Sequence, residues 1–436
     1  MEKNGAVLSK GVSSLHTLPH EQKYLVGLRG FLALQSFTWV FLQTFVPVAV
    51  KSSANTKGNG VEKILRKTLS VLFWNDSLIY SSIILLSARM ICVRFLLSSN
   101  KTALASSVFR RGLRLWIPTA VSLAFVKILT STIGTEYIDD FKTQTGNVSF
   151  QTPYSIPNAL AYFNSVFNLF WVTRNFHDQA GSLAFPSQTL WIVNIIYTQS
   201  YTIFMTMVIV PYTRNSWRVQ AYVGFILTAW WVQSWAWYSV TGLLLADLLM
   251  NMRYQERAQR GVALWKTSVR YPAWVPCAIL MAAGLTMQYL WIAWRPQYEN
   301  KELGIHTALY ESSAFNTEID PNEPQARDDN YLLILGFFLI LEYSTFLQKV
   351  FRNQLFLYLG ARSFSWFLLQ SITIYSAGIK LFMRLSLENN VSVEGSRVIC
   401  LVVCLVAAAA AAEIFYWLVD LPSQLLAHVV FDWIRK

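Results

Sequence analysis

The sequence predicts an all-α, polytopic integral membrane protein with about ten transmembrane helices in one bundle. Of its 436 residues, 54% are hydrophobic and 14% are charged, and soluble domains carry a larger charged share. Several apolar runs of roughly twenty residues follow one another, each long enough to cross a bilayer as a helix. The net charge of +12 sits largely in the short loops between runs. The positive-inside rule explains this distribution. Because the sequence also has no nucleic-acid-binding motif, the positive charge does not indicate a nucleic-acid-binding protein.

Each predicted span follows from one apolar run. The spans cover about 28–50, 77–97, 113–133, 189–211, 272–294, 331–349, 363–383 and 397–420, with two shorter helices in 217–250. The run 217–250 is too long for one span and breaks near Gln233–Trp235. Two helices there place the basic loop 251–271 on the cytoplasmic side, where basic loops belong.

The chain is predicted to hold one membrane domain, 28–420, between a cytoplasmic segment 1–27 and a cytoplasmic interfacial tail 421–436. The N-terminus lacks the apolar core of a signal peptide, so the first span is expected to act as the targeting signal. This predicts the endoplasmic reticulum or another endomembrane, with both termini cytoplasmic. The tail alternates apolar and polar residues at helical spacing, which fits either a surface helix or a simple helix end.

Two predicted lumenal segments carry glycosylation sequons, at Asn147 and Asn390. The first lies in the long loop 134–188, which also has an interfacial apolar piece near 157–172. Loop 51–70 is an exception, because its five lysines and arginines fall on the lumenal side in this topology.

Arginines mark the cytoplasmic ends of the first and third predicted helices. In FRRGLRLWIP, Arg110 and Arg114 share one helical face, with Arg111 beside them. Guanidinium groups bind phosphates bidentately, and coenzyme A carries several phosphates. Arg29 lies at the same membrane face, and Gly30 next to it permits close approach of a helix or ligand. A topology anchor and a snorkelling arginine are the alternative interpretations.

Arg89 lies well inside the second predicted helix. Ionisable groups within spans usually face the protein interior and pair with one another. Four carboxylates in or near spans are available as partners: Asp247, Glu342, Glu413 and Asp420. The pair could be structural or part of an active site.

His177 precedes the fourth predicted span in a loop that could fold over a cavity. Histidine suits general-base chemistry near neutral pH. Asp178 follows it, but adjacency alone does not make a catalytic dyad. A loop histidine without a role is the alternative.

Five segments together resemble the membrane-bound acyltransferase type 3 family, especially its fungal members. They are YLVGLRGFLALQSF, IYSSIILLSARMICVRFL, FRRGLRLWIP, LYLGARSFSWFLLQS and AEIFYWLVDLPS, in the family's order along almost the whole chain. The resemblance implies transfer of an acetyl or short acyl group from acyl-CoA to a hydroxyl of a lipophilic small molecule, in fungal secondary-metabolite biosynthesis. Arg29 and the Arg110–Arg114 group would hold the acyl donor.

Three positions depart from the family's pattern. Val40 stands where the family's first helix carries its histidine base, Ile196 replaces a glutamate, and Gln370 replaces a late histidine. Replacement groups are then expected among His177, Asn194, Gln199, Gln35 and Arg89, of which His177 is the predicted base.

The expected partners are the lipid bilayer, acyl-CoA as co-substrate and a lipophilic alcohol, with other pathway enzymes possible and no bound metal. A diverged relative acting as a membrane cyclase, hydrolase or scaffold is one alternative. A small-molecule transporter is another, although the internal repeats typical of transporters are not evident in the sequence.

Overall fold

A computed structural model describes residues 22–98, 100–173, 175–263, 270–299 and 323–435. Most of the predicted N-terminal segment and most of the acidic loop between the seventh and eighth predicted helices lie outside these ranges. The described chain is helical apart from loops and one antiparallel pair of two-residue strands, β1 Val262–Ala263 and β2 Arg270–Tyr271.

The helices occupy nearly all the predicted apolar runs. They are α1 Lys23–Phe45, α2 Gly60–Lys67, α3 Ser70–Phe73, α4 Asp76–Ser98, α5 Lys101–Ile133, α6 Glu136–Thr145, α7 Ala159–Trp171, α8 Ala180–Ala184, α9 Trp191–Ile209, α10 Asn215–Trp231, α11 Ala236–Asn251, α12 Tyr254–Arg260, α13 Trp274–Tyr289, α14 Asp328–Tyr343, α15 Thr345–Phe351, α16 Gln354–Ala361, α17 Ser363–Thr373, α18 Ile379–Met383, α19 Val393–Phe415 and α20 Leu421–Arg435. The predicted interfacial piece near 157–172 is α7.

The protein is a helical, multi-pass membrane protein, but the structure does not give ten spans. Among the described residues, seven helices are long and apolar enough to cross a membrane: Lys23–Phe45, Ser70–Leu97, Lys101–Ile133, Pro186–Tyr212, Trp274–Ile292, Ser363–Ser386 and Val393–Arg435. An eighth arises if α14 and α15 form one broken span, since they are bent by 99° at Ser344.

The run 217–250 explains the rest of the difference between the ten predicted spans and the seven or eight in the structure. It forms two helices, as predicted, and the break contains Gln233 at a φ of 54°. However, α10 has 17 residues and α11 has 16, and a full span needs roughly twenty residues. The two-helix prediction is confirmed, whereas crossing of the bilayer by each helix stays a prediction.

The C-terminal tail continues the last span. A π-helical segment, Tyr416–Asp420, joins α19 to α20, so the helix runs on to Arg435. The tail is therefore a helix, as its periodicity predicted, and its start is not separated from the span by a loop.

The chain divides into two compact units, which the prediction of one bundle did not include. Unit 1 comprises 1–76, 105–197 and 354–436, and unit 2 comprises 77–104 and 198–353. In unit 1, α1 packs against α16 and α17 against α19; in unit 2, α13 packs against α14 and α10 against α11.

Glycines let these helices meet at backbone distance. A Cβ on Gly30 of α1 would lie 2.6 Å from the nitrogen of Gly360 in α16, and a Cβ on Gly360 would overlap the carbonyl of Val26. In unit 2, a Cβ on Gly284 of α13 would lie 2.6 Å from the carbonyl oxygen of Asp329 in α14. Such contacts are typical of membrane helices, because packing rather than a hydrophobic driving force holds them together.

The basic loop 51–70, which disagreed with the predicted topology, uses its one arginine structurally. Arg66 donates to the carbonyls of Asn55 and Ser53, both at 2.7 Å, and to that of Lys51 at 3.1 Å. The side chain thus supports the loop backbone. Because the Arg66 charge is used inside the loop, it does not report the side of the membrane on which the loop lies.

Gly360→Ala is expected to destabilise the protein by ~3 kcal/mol or more, because the added methyl group must displace the backbone of α1. Gly224→Ala in α10 is the matched control, since nothing lies within 4 Å of a Cβ at that position. It should be neutral or slightly stabilising, as alanine favours the helix. Thermal unfolding in detergent micelles measures both. Equal melting temperatures for the two variants would contradict the close α1–α16 contact.

Candidate functional site

Arg29 is held by the main chain of α16. Its Nε donates to the carbonyl oxygen of Gly360 at 2.9 Å, and Nη2 donates to the same oxygen. Gly360 lies in the last turn of α16, where carbonyls lack partners within the helix and the helix dipole favours a cation. Because the half-buried side chain makes these bonds, Arg29 links α1 to α16 and does not snorkel freely to the membrane surface.

A second arginine lies near Arg29, and a third shares the neighbour Tyr416 with both. Arg29 interacts electrostatically with Arg114 of α5 and with Asp420. Tyr416 interacts with the same two groups and with Arg362. We call Arg29, Arg114 and Arg362 the arginine cluster. It brings together two arginines that the sequence predicted to share one end of the protein, and adds a third that was not singled out.

Glu413 binds the third arginine. It accepts hydrogen bonds from Nε and Nη2 of Arg362, the latter at 2.9 Å. It also accepts from the Tyr358 hydroxyl at 2.7 Å and from Trp417 Nε1 at 2.8 Å. The hydrogen bond to Glu413 raises the pKa of Tyr358 above its ordinary value, so this phenol stays protonated. The carboxylate is fully occupied and is not placed to act as a base.

Asp420 is the second carboxylate at this end of unit 1. It is buried and accepts from Ser365 Oγ at 3.3 Å and from Gln424 Nε2 at 2.8 Å. Among the described residues, three arginines therefore face two carboxylates, and the cluster keeps an excess positive charge. Arg114 is exposed, so an anionic ligand can reach that charge.

The other predicted donor-binding arginines have different surroundings. Arg110 donates to the carbonyl of Ser106 at 3.0 Å, and its Nη1 lies 3.0 Å from Nδ1 of His428 in α20. Arg111 is half-buried. The structure thus separates Arg110, which contacts the tail helix, from Arg114, which belongs to the arginine cluster.

The two positions where the family carries histidines lie at the contact of α1 and α17. Gln370 Nε2 donates to Ser36 Oγ at 2.7 Å, and both residues are fully buried. Val40, one helical turn after Ser36, is also fully buried, and Trp39 is nearly so. Neither Val40 nor Gln370 can remove a proton, so this part of the core contains no base at the family's positions.

Helix α7 returns to the part of α5 that follows its basic stretch. The Tyr162 hydroxyl donates to the carbonyl of Ala120 at 2.7 Å. Phe167 stacks on Trp116 with the ring centroids 5.9 Å apart. Asn194 of α9 holds the end of α7 by donating to the carbonyls of Leu169 and Val172, at 2.8 and 2.7 Å. Asn194 is therefore used structurally, although the sequence suggested it as a replacement catalytic group.

His177 lies in the loop between α7 and α8. Its side chain is 23% exposed, and its Nδ1 is 3.3 Å from Oδ1 of Asp178. Phe176 anchors the loop by packing against Trp191. In the part of the chain that the structure describes, no polar contact joins His177 to Arg29 or Arg114. The side chains of His177 and Asp178 do meet, although their adjacency in the sequence did not predict this contact.

The loop of His177 approaches the basic stretch through aromatic rings. Phe170 and Trp171, at the end of α7, pack edge-on against Tyr197, with ring centroids 5.1 and 6.0 Å apart. The same Tyr197 ring is 4.0 Å from the position of a Cβ on Gly112. Gly112 lies between Arg111 and Arg114, so α7 ends close to the turn that carries the exposed arginine.

Sequence reasoning missed a polar contact at Ser187. Its hydroxyl lies 2.6 Å from that of Ser371, the neighbour of Gln370 in α17. Ser187 and Gln188 both have positive φ, at 62° and 52°, which non-glycine residues adopt at a cost of about 1–3 kcal/mol each. The only signal in the sequence was the Pro-Ser-Gln stretch before the fourth predicted span.

Arg89 forms a buried ion pair in unit 2, as predicted. Its Nε is 2.8 Å from Oε1 of Glu342, and the two side chains are 0% and 1% exposed. The carbonyl of Glu342 accepts from Gln255 and Gln348. This burial indicates a structural tie, and it leaves no surface of Arg89 for a substrate. Asp247, another of the four candidate partners, pairs with Arg218 at 2.7 Å.

Gln35 and Gln199, the remaining proposed replacements, are half-buried. The structure gives neither of them a charged partner among the described contacts, and an amide cannot serve as a base. His177 therefore stays the candidate base.

The two sequons differ in their surroundings. Asn147 is buried, and its Nδ2 donates to the carbonyls of Gln43 and Thr44 at 2.9 and 3.2 Å. Asn390 is exposed, in the loop before α19, with a φ of 51°. Of the two sequon asparagines, Asn390 is the exposed one.

No family model, curated protein or solved structure matches this chain. The resemblance to acyltransferase type 3 enzymes therefore stays a hypothesis that rests on the five sequence segments.

Arg89→Met and Glu342→Leu should each destabilise the protein by about 3–5 kcal/mol, because each leaves one buried charge unpaired. The double variant should recover most of that loss, since an apolar pair of similar volume replaces the ions. Thermal unfolding in micelles measures all three. A double variant as unstable as the sum of the single variants would contradict a purely structural pair.

Asn147→Gln should lower the free energy of unfolding by about 1–3 kcal/mol, because the carbonyls of Gln43 and Thr44 lose their donor. It should leave the glycosylation pattern unchanged. Asn390→Gln should have the opposite result, with unchanged stability and loss of the mobility shift on glycosidase treatment. A glycan detected on Asn147 by mass spectrometry of folded protein would contradict the buried position.

Proposed function

We propose that this protein is a membrane-bound O-acyltransferase that moves an acetyl or short acyl group from acyl-CoA to a hydroxyl of a lipophilic small molecule. A fungal secondary metabolite is the proposed acceptor class. The proposed setting is the endoplasmic reticulum or another endomembrane, with the donor reaching the site from the cytoplasm and both termini on that side.

One observation carries the proposal. Arg29 and Arg114 come from two separate family-like segments, and both interact with Asp420 or Tyr416 in a third. The fourth segment supplies Gly360, which anchors Arg29, and Ser365, which contacts Asp420. Four of the five segments that resemble one family thus meet at a single place in unit 1, and the segment that carries Arg89 belongs to unit 2.

The charge of this place suits an acyl-CoA. Its phosphates carry negative charge, and the exposed Arg114 offers donors that bind a phosphate bidentately. Arg29 adds positive charge while its orientation is fixed by Gly360. The long flexible arm of coenzyme A then allows the thioester to lie away from the phosphates, toward the loop of His177.

His177 is proposed as the general base. Contact of its Nδ1 with Asp178 leaves Nε2 to take the proton of the acceptor hydroxyl. The alcohol oxygen forms a bond to the thioester carbonyl carbon, the carbon–sulfur bond breaks, and the proton passes from the imidazolium to the departing thiolate. The products are an ester and free coenzyme A.

Arg114→Ala is expected to weaken acetyl-CoA binding by roughly 10- to 100-fold, as expected for one charge-assisted contact. Equilibrium binding of labelled acetyl-CoA to the purified protein in micelles measures it. Arg384→Ala is the control, because Arg384 is a 74% exposed surface arginine that pairs with Glu388. Failure of the unaltered protein to bind acetyl-CoA would overturn the proposal.

His177→Gln should leave acetyl-CoA binding unchanged and lower the transfer rate by about 10²–10⁴-fold. Transfer of labelled acetyl to a panel of lipophilic alcohols, such as farnesol and ergosterol, provides the readout. Asp178→Asn should cause a smaller loss, since it only orients the ring. Unchanged turnover in His177→Gln would exclude His177 as the base.

A second function is favoured by the buried Val40 and Gln370. Because the family's histidine positions hold no base, the protein could have kept the fold while acting as a cyclase, hydrolase or scaffold of the same pathway. Acetyl-CoA binding without transfer to any alcohol, in a protein needed for the cellular product, would select this alternative.

A further inference from the structure

Helix α7 runs beside the membrane-length helix α5, in the opposite direction. Near the start of α7, the Tyr162 hydroxyl donates to the carbonyl of Ala120 at 2.7 Å. Further along α7, the Phe167 ring stacks on that of Trp116. Rising residue numbers in α7 therefore meet falling numbers in α5, as in two antiparallel helices packed side by side. A helix lying across the end of a span would touch only one turn of it.

These contacts set the depth of α7 in the membrane. Helix α5 is long and apolar enough to cross a bilayer, and its basic stretch up to Arg114 marks one membrane boundary. Ala120 lies about 9 Å further along the helix axis, which is inside the hydrocarbon region. Helix α7 carries no Asp, Glu, Lys or Arg, so this position buries no charge. The helix therefore lies deeper than the membrane surface.

An apolar stripe runs along the side of α7 that faces away from the protein. Its four side chains are 48–72% exposed and are spaced by three and four residues: Leu160, Phe163, Phe167 and Trp171. Residues at this spacing share one side of a helix. The other side of α7 is buried against the protein. At this depth, the stripe contacts the hydrocarbon chains of the bilayer.

Two asparagines border the stripe. Asn164 and Asn168 lie one helical turn apart, each next in sequence to a phenylalanine of the stripe, and both are exposed. Among the contacts of the described residues, neither side-chain amide has a hydrogen-bond partner. An amide left without a partner in an apolar environment costs roughly 1–3 kcal/mol. Because these amides are accessible, a polar group that arrives from the membrane can satisfy them.

We propose that this side of α7 binds the lipophilic alcohol acceptor, which enters from the bilayer. We call it the α7 face, and it consists of Leu160, Phe163, Asn164, Phe167, Asn168 and Trp171. The two amides bind the hydroxyl, and the apolar stripe contacts the hydrocarbon part. The lack of charge on α7 favours a neutral alcohol over a phosphate-bearing lipid.

The position of the α7 face suits the acceptor of the proposed reaction. Helix α7 ends beside the turn of α5 that carries Arg114, and the loop of His177 follows it. An alcohol bound to α7 therefore lies next to both proposed elements of the donor side. The use of the alcohol as acceptor rests on the proposed function, whereas its binding requires no acyl transfer.

Photolabelling of the full chain in phospholipid nanodiscs tests the α7 face. The two probes are hexadecanol with a diazirine in its chain and hexadecane with the same diazirine. Mass spectrometry of the digested protein gives the labelling of α7 relative to that of α19, a span with exposed Val402 and Val406. The α7-to-α19 ratio should be about five-fold higher or more for hexadecanol, the effect of one neutral hydrogen bond.

The double variant Asn164→Ala with Asn168→Ala should lower the hexadecanol ratio to that of hexadecane. Both positions are exposed and alanine favours a helix, so the fold should be kept, and thermal unfolding checks this. Gln220→Ala is the matched control, because it removes an exposed amide from helix α10, outside the α7 face. It should leave the hexadecanol ratio unchanged.

Equal ratios for the two probes, or a hexadecanol ratio that the double variant does not change, would overturn the proposal. Absence of α7 labelling by hexadecane would also overturn it, because the asparagines would then face water. None of these measurements needs acetyl-CoA. Amide-dependent labelling without acyl transfer would therefore support the α7 face and contradict the proposed function, whereas acyl transfer with equal ratios for the two probes would do the reverse.

Discussion

The backbone contact between α1 and α16 is the constraint on which the candidate site depends. Gly30 and Gly360 allow the two helices to meet with no side chain between them. Only at this separation does the guanidinium of Arg29 reach the carbonyl of Gly360. The same helix α1 carries Ser36, whose contact with Gln370 fixes α17. One helix crossing therefore positions Arg29 of the arginine cluster, on the same helix that brings Ser36 to Gln370.

The two units use arginines in different ways. In unit 2, Arg89 and Arg218 each pair with one buried carboxylate, an arrangement in which the cost of removing two charges from water is offset by their attraction. In unit 1, the arginine cluster has more arginines than carboxylates, and Arg114 is exposed. Charge that is neutralised and enclosed holds helices together. Charge that is in excess and accessible is available for a ligand.

Much of the fold could be predicted from the sequence, because apolar runs of bilayer length leave few alternatives to a membrane helix. The break near Gln233 and the pairing of Arg89 were predictable for the same reason, since polar groups in apolar runs need a partner or an end. The number of spans was not, because it depends on the lengths of α10 and α11 and on a bend at Ser344. These features follow from packing rather than from composition.

The site was predictable only where side chains carry the signal. Arg29 and Arg114 stood out as charges beside apolar runs, and the structure places them close together. The partner of Arg29 is a carbonyl, which every residue has, so no pattern could identify it. The backbone strain at Ser187 likewise has no side-chain signature, and its contact with Ser371 joins residues far apart in the chain.

The carbonyl partner of Arg29 has an evolutionary consequence. An arginine that depends on a carboxylate loses its bond whenever the acid mutates, and the two positions must then change together. Arg29 is bound to the main chain, so no substitution in α16 deletes its acceptor; only displacement of the helix does. Asp420 attracts its charge, but the hydrogen bonds of Arg29 do not depend on that carboxylate. Selection can therefore alter the side chains around the arginine, and with them the ligand, while the arginine itself stays anchored.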